Sequence, residues 1–346
     1  TDWHVNDKLT VTTGLRYTKD KKSLESDIQI DDPFAALDLT LFGASALAPF
    51  QFFPPAPNVS DTSSSSEVSG TAIINYSVSE EVNVYGSYSR GFKGGGFALD
   101  AAAARVGSFS FDPEFVDAYE LGLKARLLDN RLSLDFALYQ NDIKGFQANT
   151  FTGSSFVPSN AGDINIRGLE FEGKFQVTPN LLLTGGFNWL FKAKFGDYPN
   201  ALCPVVRQDL CTEVQVEGSN SIILVRNLDG QRIGEAPKFT GNIAATYIRA
   251  ISSDLEMIVR GAVYYNGHQF LSTDLDERQV QDGYALVSAA IGIGDQDGAW
   301  SMRLWARNLL DKFYVVDTFN STIPGGSLNG YYGAPRTFGL TLSTRY

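Results

Sequence analysis

The sequence predicts an all-β fold of one kind, an antiparallel transmembrane β-barrel. Three observations carry that expectation. Apolar and polar residues alternate with period two along about a dozen segments. The connections between those segments are tight and long by turns. Several segments also run to about 12–17 residues, against the usual 5–6 of soluble strands.

Composition narrows the classes further. The chain has 346 residues, with 33 Gly, 24 Phe and 15 Tyr, which suits many strands joined by turns. Only 2 Cys and 2 His are present, too few for most zinc, iron–sulfur or histidine-based catalytic sites. Twenty-eight Lys and Arg face 39 Asp and Glu, a net charge of −11, so no cation excess is available to displace phosphate counterions and nucleic acid is excluded as the main partner. No run of about 18 apolar residues exists to form a membrane-spanning helix. A mean hydropathy of −0.11 fits a wall in which every second residue meets lipid. The opening TDWHVNDKLTV has no charged start followed by an apolar core, so it is not expected to be a signal peptide.

Taken in chain order, Thr1 to His4 look like the end of a strand and Val5-Asn6-Asp7 like a turn. Segments 9–18 and 68–78 alternate. Segment 82–92 has small residues on both faces and weaker contrast. Segment 119–127 sets Tyr119, Leu121, Leu123, Ala125 and Leu127 against Glu120, Gly122, Lys124 and Arg126. Segment 131–142 sets Leu132, Leu134, Phe136 and Leu138 against Ser133, Asp135, Ala137 and Tyr139. In 169–177, Leu169, Phe171, Phe175 and Val177 oppose Glu170, Glu172, Lys174 and Gln176. In 181–195, Leu181, Leu183, Phe187, Trp189, Phe191 and Phe195 oppose Thr184, Gly186, Asn188, Lys192 and Lys194. Segments 239–247, 255–266, 284–293 and 300–307 follow. The last strand sets Phe338, Leu340, Leu342 and Tyr346 against Thr337, Gly339, Thr341, Ser343 and Arg345.

Tight polar turns are expected at Ser79 to Glu81, Asp129 to Arg131, Thr178 to Asn180, Ser252 to Asp254 and Asp295 to Gly298. Long connections are expected over roughly 23–66, 93–113, 148–160, 196–235, 270–277 and 316–330. A soluble sandwich has no reason to gather its long loops at one end, whereas an outer-membrane barrel turns tightly on one side and loops widely on the other. Alternation alone fits either a sandwich with a dry core or a wall with lipid outside and a wet lumen. The polar face would then present Arg16, Lys124, Arg126, Asp135, Glu170, Glu172, Lys174, Lys192, Lys194, Arg260, Arg303 and Arg307 to that lumen.

Several stretches carry a family resemblance: KLTVTTGLRYTKDKK at 8–22, YGSYSRGFKGGGF at 85–97, YELGLKARLLDNRLSLDFALYQNDIKGFQ at 119–147, IRGLEFEG at 166–173, RNLLDKFY at 307–314 and APRTFGLTLSTRY at 334–346. In this order they resemble the barrel domain of TonB-dependent outer-membrane receptors. The resemblance implies that residues 1–346 are the C-terminal portion of a 22-stranded barrel, with the plug, the TonB box and a signal peptide outside this sequence. It implies location in the outer membrane of a Gram-negative bacterium. The partners would be the TonB complex, the lipid membrane and a bulky nutrient, with a ferric siderophore as the default. No enzymatic activity and no cofactor are implied.

Candidate site residues follow from position. Arg90 and Lys93, with Gly94 to Gly96, lie where a strand leaves the membrane and could meet an anionic ligand or simply form a bending rim. Phe50, Phe52 and Phe53, followed by a Pro/Ser-rich stretch, could form an aromatic recognition loop or an ordinary exposed one. Cys203 and Cys211, eight positions apart in a long loop, are expected to form a disulfide in an oxidising compartment. Tyr346 would be the terminal aromatic of the barrel. Gly292 to Gly298 lacks the third glycine and the following helix of a nucleotide-binding loop, so it reads as a turn. His4 and His268 are far apart in sequence, and no nucleophile motif accompanies them. Two rivals remain at this level: a complete twelve-stranded barrel acting as a pore or enzyme, and a soluble carbohydrate-binding sandwich.

Overall fold

A computed structural model describes residues 1–26, 59–98, 110–151, 156–203, 208–215, 222–321 and 327–345. Its dominant element is one antiparallel sheet of 13 strands in which every strand pairs with its neighbours in sequence. In chain order these are β1 (Asp2–His4), β2 (Leu9–Ser26), β3 (Val59–Ser77), β4 (Val82–Lys93), β5 (Glu114–Leu127), β6 (Leu132–Lys144) and β7 (Ile164–Thr178). There follow β8 (Leu181–Phe195), β9 (Phe239–Ala250), β10 (Leu255–Asn266), β11 (Tyr284–Asp295), β12 (Trp300–Arg307) and β13 (Thr337–Thr344). The expected dozen becomes thirteen because the opening strand end pairs with β2, Trp3 opposite Val11.

The tight turns are built from local side-chain caps. Asn6 Oδ1 accepts the amides of Lys8 and Leu9 at 2.9 and 3.0 Å. Ser79, Thr178 and Ser252 do the same with their hydroxyl oxygens at their own turns. The β5–β6 turn instead places Leu128, Asp129 and Asn130 in succession at φ 56°, 55° and 63°. At the opposite end the connections are long and carry short hairpins of their own, such as Gln147–Phe151 with Phe156–Asn160 and Val315–Asn320 with Leu328–Tyr332.

The expected 23–66 connection contracts to 27–58. Ser63 to Ser66 belong to β3 and pair with Lys22 to Lys19. At 18 and 19 residues, β2 and β3 far exceed the roughly 9–11 needed to cross a bilayer, so their ends project beyond it.

Register assigns the faces. Leu15, Leu121, Ile243, Leu304 and Leu340 all point to one side and are 87%, 63%, 59%, 57% and 55% exposed. Among the described residues no second layer covers this side, which rules out a sandwich whose apolar stripes meet across a dry centre. An aromatic ladder crosses the same side: Phe136–Phe171–Phe187–Phe239–Tyr265, with successive ring centroids 4.7, 5.4, 5.7 and 6.1 Å apart. The opposite side carries Glu120, Lys124, Asp135, Glu170, Lys174, Arg260 and Arg303.

One expectation of facing is corrected. A β-bulge falls where Gly168 pairs with Leu190 but Arg167 pairs with Lys192. The extra residue, Phe191, moves the remainder of β8 to the other side. Lys192 and Lys194 therefore lie on the outer, apolar face, and Lys192 Nζ reaches Asn165 Oδ1 at 2.9 Å. Ala193 and Phe195 turn inward and are 0% and 4% exposed.

Candidate functional site

The inner side of the wall and the long-loop end together form the surface that a solute would meet. Over β4–β8 the inner charges are of both signs, and Glu120, Arg126 and Asp135 among them are bonded. The Tyr85 hydroxyl donates to Glu120 at 2.5 Å, and Tyr139 donates to Asn188 at 3.0 Å. Arg126 Nη1 lies 3.0 Å from Asp135, and Lys124 Nζ sits 5.8 Å from the Tyr85 ring centre. Tyr85 lies flat over Gly122 and Tyr139 over Gly168, where any β-carbon would collide with the ring. The two glycines are the reason these tyrosines can lie against the wall.

Over β10–β12 the inner side differs. Arg260, Arg303 and Arg307 line a recess of about 420 Å³ with Trp305, floored by small residues such as Ser288 and Ala290. The Arg307 guanidinium stacks 5.0 Å from the Trp305 ring, whose Nε1 donates to Thr341 at 3.1 Å. Among the described residues no carboxylate lines this recess, so it attracts anions.

The long-loop end has a core of its own. Ile164 and Phe195, at the inner ends of β7 and β8, pack with Ala201, Leu228 and Leu275 from the connections 196–238 and 267–283. Burial pushes the nearby Tyr198 hydroxyl up to about 12. The Asp276 carboxylate is buried against Arg278 at 2.8 Å. Burial alone would raise its pKa, but hydrogen bonds from Arg278 and its charge carry it below the usual carboxylate range. Gln279 accepts from Thr318 at 2.9 Å, and Asn320 donates to Asp274 at 3.3 Å, tying this loop to the hairpin over 315–332. Glu235 moves the other way: burial, then the charge of Asp317, raises its carboxyl.

The sequence-derived candidates fall in different places. Arg90 lies on the outer face, 3.4 Å from Asp117 and 5.7 Å from the Phe115 ring centre. Lys93, three residues on, takes the inner face opposite Glu114, so β4 does not bring the two together. Gly95 sits against the Phe111 carbonyl, and its own carbonyl accepts Lys22 Nζ at 2.6 Å. Cys203 and Cys211 are joined by a disulfide, with Cα atoms 5.9 Å apart. Phe50, Phe52, Phe53 and Tyr346 lie outside the described residues. Sequence reasoning did not single out Tyr85, Trp305 or the Asp276–Arg278 pair. Only the first two had a signal there, an aromatic on the polar face of an alternating strand. Among the described residues, no group of three or more acidic, His or Cys side chains could hold a metal ion.

This single-layer wall, apolar outside and charged inside with its long loops at one end, is a membrane-barrel architecture, and similarity to known proteins makes the class specific. The chain belongs to the family described as TonB dependent receptor-like, beta-barrel, whose model matches residues 1–309; β13 continues the same sheet past that limit. It is 24% identical over 300 residues to the ferric-pyoverdine M114 receptor of Pseudomonas sp. (strain M114), covering 86% of this chain and 32% of that protein. Its fold is similar to the ferric yersiniabactin uptake receptor of Yersinia pestis (TM-score 0.69, 18% identity, 98% of this chain and 43% of that one). It is also similar to the siderophore receptor PiuA of Acinetobacter baumannii (TM-score 0.69, 16% identity, 100% and 42%). The chain thus spans about a third of the curated relative and under half of these structures.

Proposed function

We propose that this chain is part of the wall and the mouth of an outer-membrane receptor that takes up a scarce, bulky nutrient, a ferric siderophore, with energy delivered through the TonB complex. Residues 1–346 act as one barrel domain in this reading, and plug and TonB box belong to other parts of the receptor. The observation that carries it is the inverted polarity of the sheet. An apolar side chain left in water forgoes about 1.5–3 kcal/mol, so a face with dozens of them needs hydrocarbon against it. The charged face then surrounds water. The strands β1 and β13 each pair on one side and not with each other, which favours a section of a wider barrel over a closed ring of thirteen. The arginine recess suits the anionic groups of an iron chelate. The receptor performs no covalent chemistry: it binds, admits and releases.

Uptake of radiolabelled ferric siderophores by iron-limited cells with and without the gene tests this. At least one hydroxamate, catecholate or mixed chelate should enter only when the gene is present. Equal uptake of the whole panel would reject the iron assignment.

A further inference from the structure

The two halves of the inner wall differ in how their charges are met. Over β9–β13 the inner face carries Arg260, Arg303 and Arg307, and none of them forms an ion pair among the described residues. The carboxylate of that face, Glu256, stands four residues from Arg260 at the tight-turn end of β10. Asp311, just past β12, is paired with Arg336 at 3.8 Å. In register, Arg260 and Trp305 stand on either side of Ala290, and Arg303 and Arg307 lie two residues before and after Trp305. With strands about 4.8 Å apart and same-face neighbours about 7 Å apart, three guanidinium groups surround one indole within a patch roughly 10 by 14 Å.

The indole is fixed and the cations are free to reach. Trp305 lies over Gly339 of β13, where any β-carbon would collide with the ring, while all three arginines are exposed to the lumen. Further up, the same face turns phenolic. Tyr264 follows Ala262 along β10, and Tyr284, at the mouth end of β11, stacks on Tyr314 with ring centroids 4.5 Å apart. An aromatic descent thus leads from the mouth to a basic, ring-walled recess. Arg303 and Arg260 lie three and five residues in from Trp300 and Leu255, so the recess belongs to the wall and is separate from the loop core around Ile164 and Phe195.

A ligand that fits this recess carries several negative charges on flat rings. A catecholate is a dianion, and three of them around a ferric ion leave a trianion with aromatic faces. A hydroxamate is a monoanion, and three of them leave a neutral complex with no ring. A guanidinium takes anionic oxygens with charge-assisted hydrogen bonds and also stacks on aromatic faces, so this constellation favours the first class.

We propose that the recess is an internal station for chelates of the ferric tris-catecholate type, occupied after the ligand has left the mouth, with Arg260, Arg303 and Arg307 on its charges and Trp305 on a ring. The proposal rests on the uptake reading above and names the substrate class for it.

The test uses the full-length receptor in iron-limited cells, with radiolabelled ferric tris-catecholate, ferric tris-hydroxamate and a ring-free ferric carboxylate chelate as probes. The parent should take up the tris-catecholate in preference to the other two. Arg260→Gln/Arg303→Gln/Arg307→Gln should lower the maximal rate of its uptake about tenfold, while binding to cells treated with a protonophore keeps the parental Kd. Replacing the same three residues by Lys should restore part of the rate. Heat-shifted migration checks that each barrel is folded; should the triple variant not fold, Arg303→Gln alone should lower the rate about threefold. Preference for the neutral or the ring-free chelate overturns the proposal, as does an unchanged rate in a folded variant. Weakened binding in protonophore-treated cells overturns it too, because the arginines would then belong to the mouth. So does new sensitivity of the cells to a large hydrophilic antibiotic, because the arginines would then hold whatever fills the lumen. Should none of the three chelates enter in a gene-dependent way, the uptake reading itself fails; entry of the wrong class sinks only this station.

Discussion

The wall and the mouth are folded by different solvents. In the wall, Leu121 and Leu340 are largely exposed, the sheet is one layer thick, and strand-to-strand hydrogen bonds hold it together. In the mouth, Leu228 and Leu271 are fully or almost fully buried, and so are the polar groups of Asp276 and Gln279, each with a hydrogen-bonding partner. The wall is inverted relative to a water-soluble protein and the mouth is not. The same residue type therefore stabilises by facing outward in one and by facing inward in the other.

The largest effect that would sharpen this contrast is in the mouth. Leu228→Ala should cost about 2–5 kcal/mol of local stability, through lost burial and the cavity left behind. Loops 196–238 and 267–283 should become protease-sensitive while the barrel keeps its heat-modifiable migration. Next comes Leu121→Arg in the wall, expected to cost about 2–4 kcal/mol if it sits near mid-bilayer. It should lower the yield of inserted barrel in lipid vesicles and leave the mouth's protease resistance per folded molecule unchanged. If both variants damaged both regions equally, the division would be wrong.

The smallest effects are in pH, and they oppose each other within the mouth. The depressed Asp276 carboxyl contributes stability above the ordinary carboxylate pKa, and that contribution is lost as pH falls through its lowered value. The raised Glu235 carboxyl binds its proton more tightly folded than unfolded. It therefore makes the mouth less stable as pH climbs from the ordinary value through the raised one. Asp276→Asn should flatten the acid side of a protease-resistance profile, and Glu235→Gln should raise resistance near neutrality. Hydrogen exchange of the wall strands should follow neither.

Much of the wall was legible because period two leaves little ambiguity once turns bound each segment. Leu132, Leu134, Phe136 and Leu138 take one face as the alternation implies, and the tight turns at Ser79, Thr178 and Ser252 fall where polar capping residues cluster. The bulge in β8 was not legible. One added residue leaves no compositional mark, so Lys192, Lys194 and Phe195 were assigned to the wrong sides. The serines at 63–66 have weak strand propensity and read as loop, yet pairing with the long β2 overrides it. The mouth's core was unreadable for another reason: Ile164, Leu228 and Leu275 come from three distant segments with no shared period. Arg90 was singled out for its charge and place in the chain, but its face depends on register with β5, which only the paired strands reveal.

Deleting Phe191 would restore strict alternation through β8. With Leu190 still opposite Gly168 and Lys192 still opposite Arg167, Ala193 and Phe195 would stay inside and both lysines outside, so the seat of the mouth's core would survive the loss. A deletion at the bulge should thus be tolerated far better than an insertion after it, which would turn Ala193 and Phe195 outward and both lysines inward.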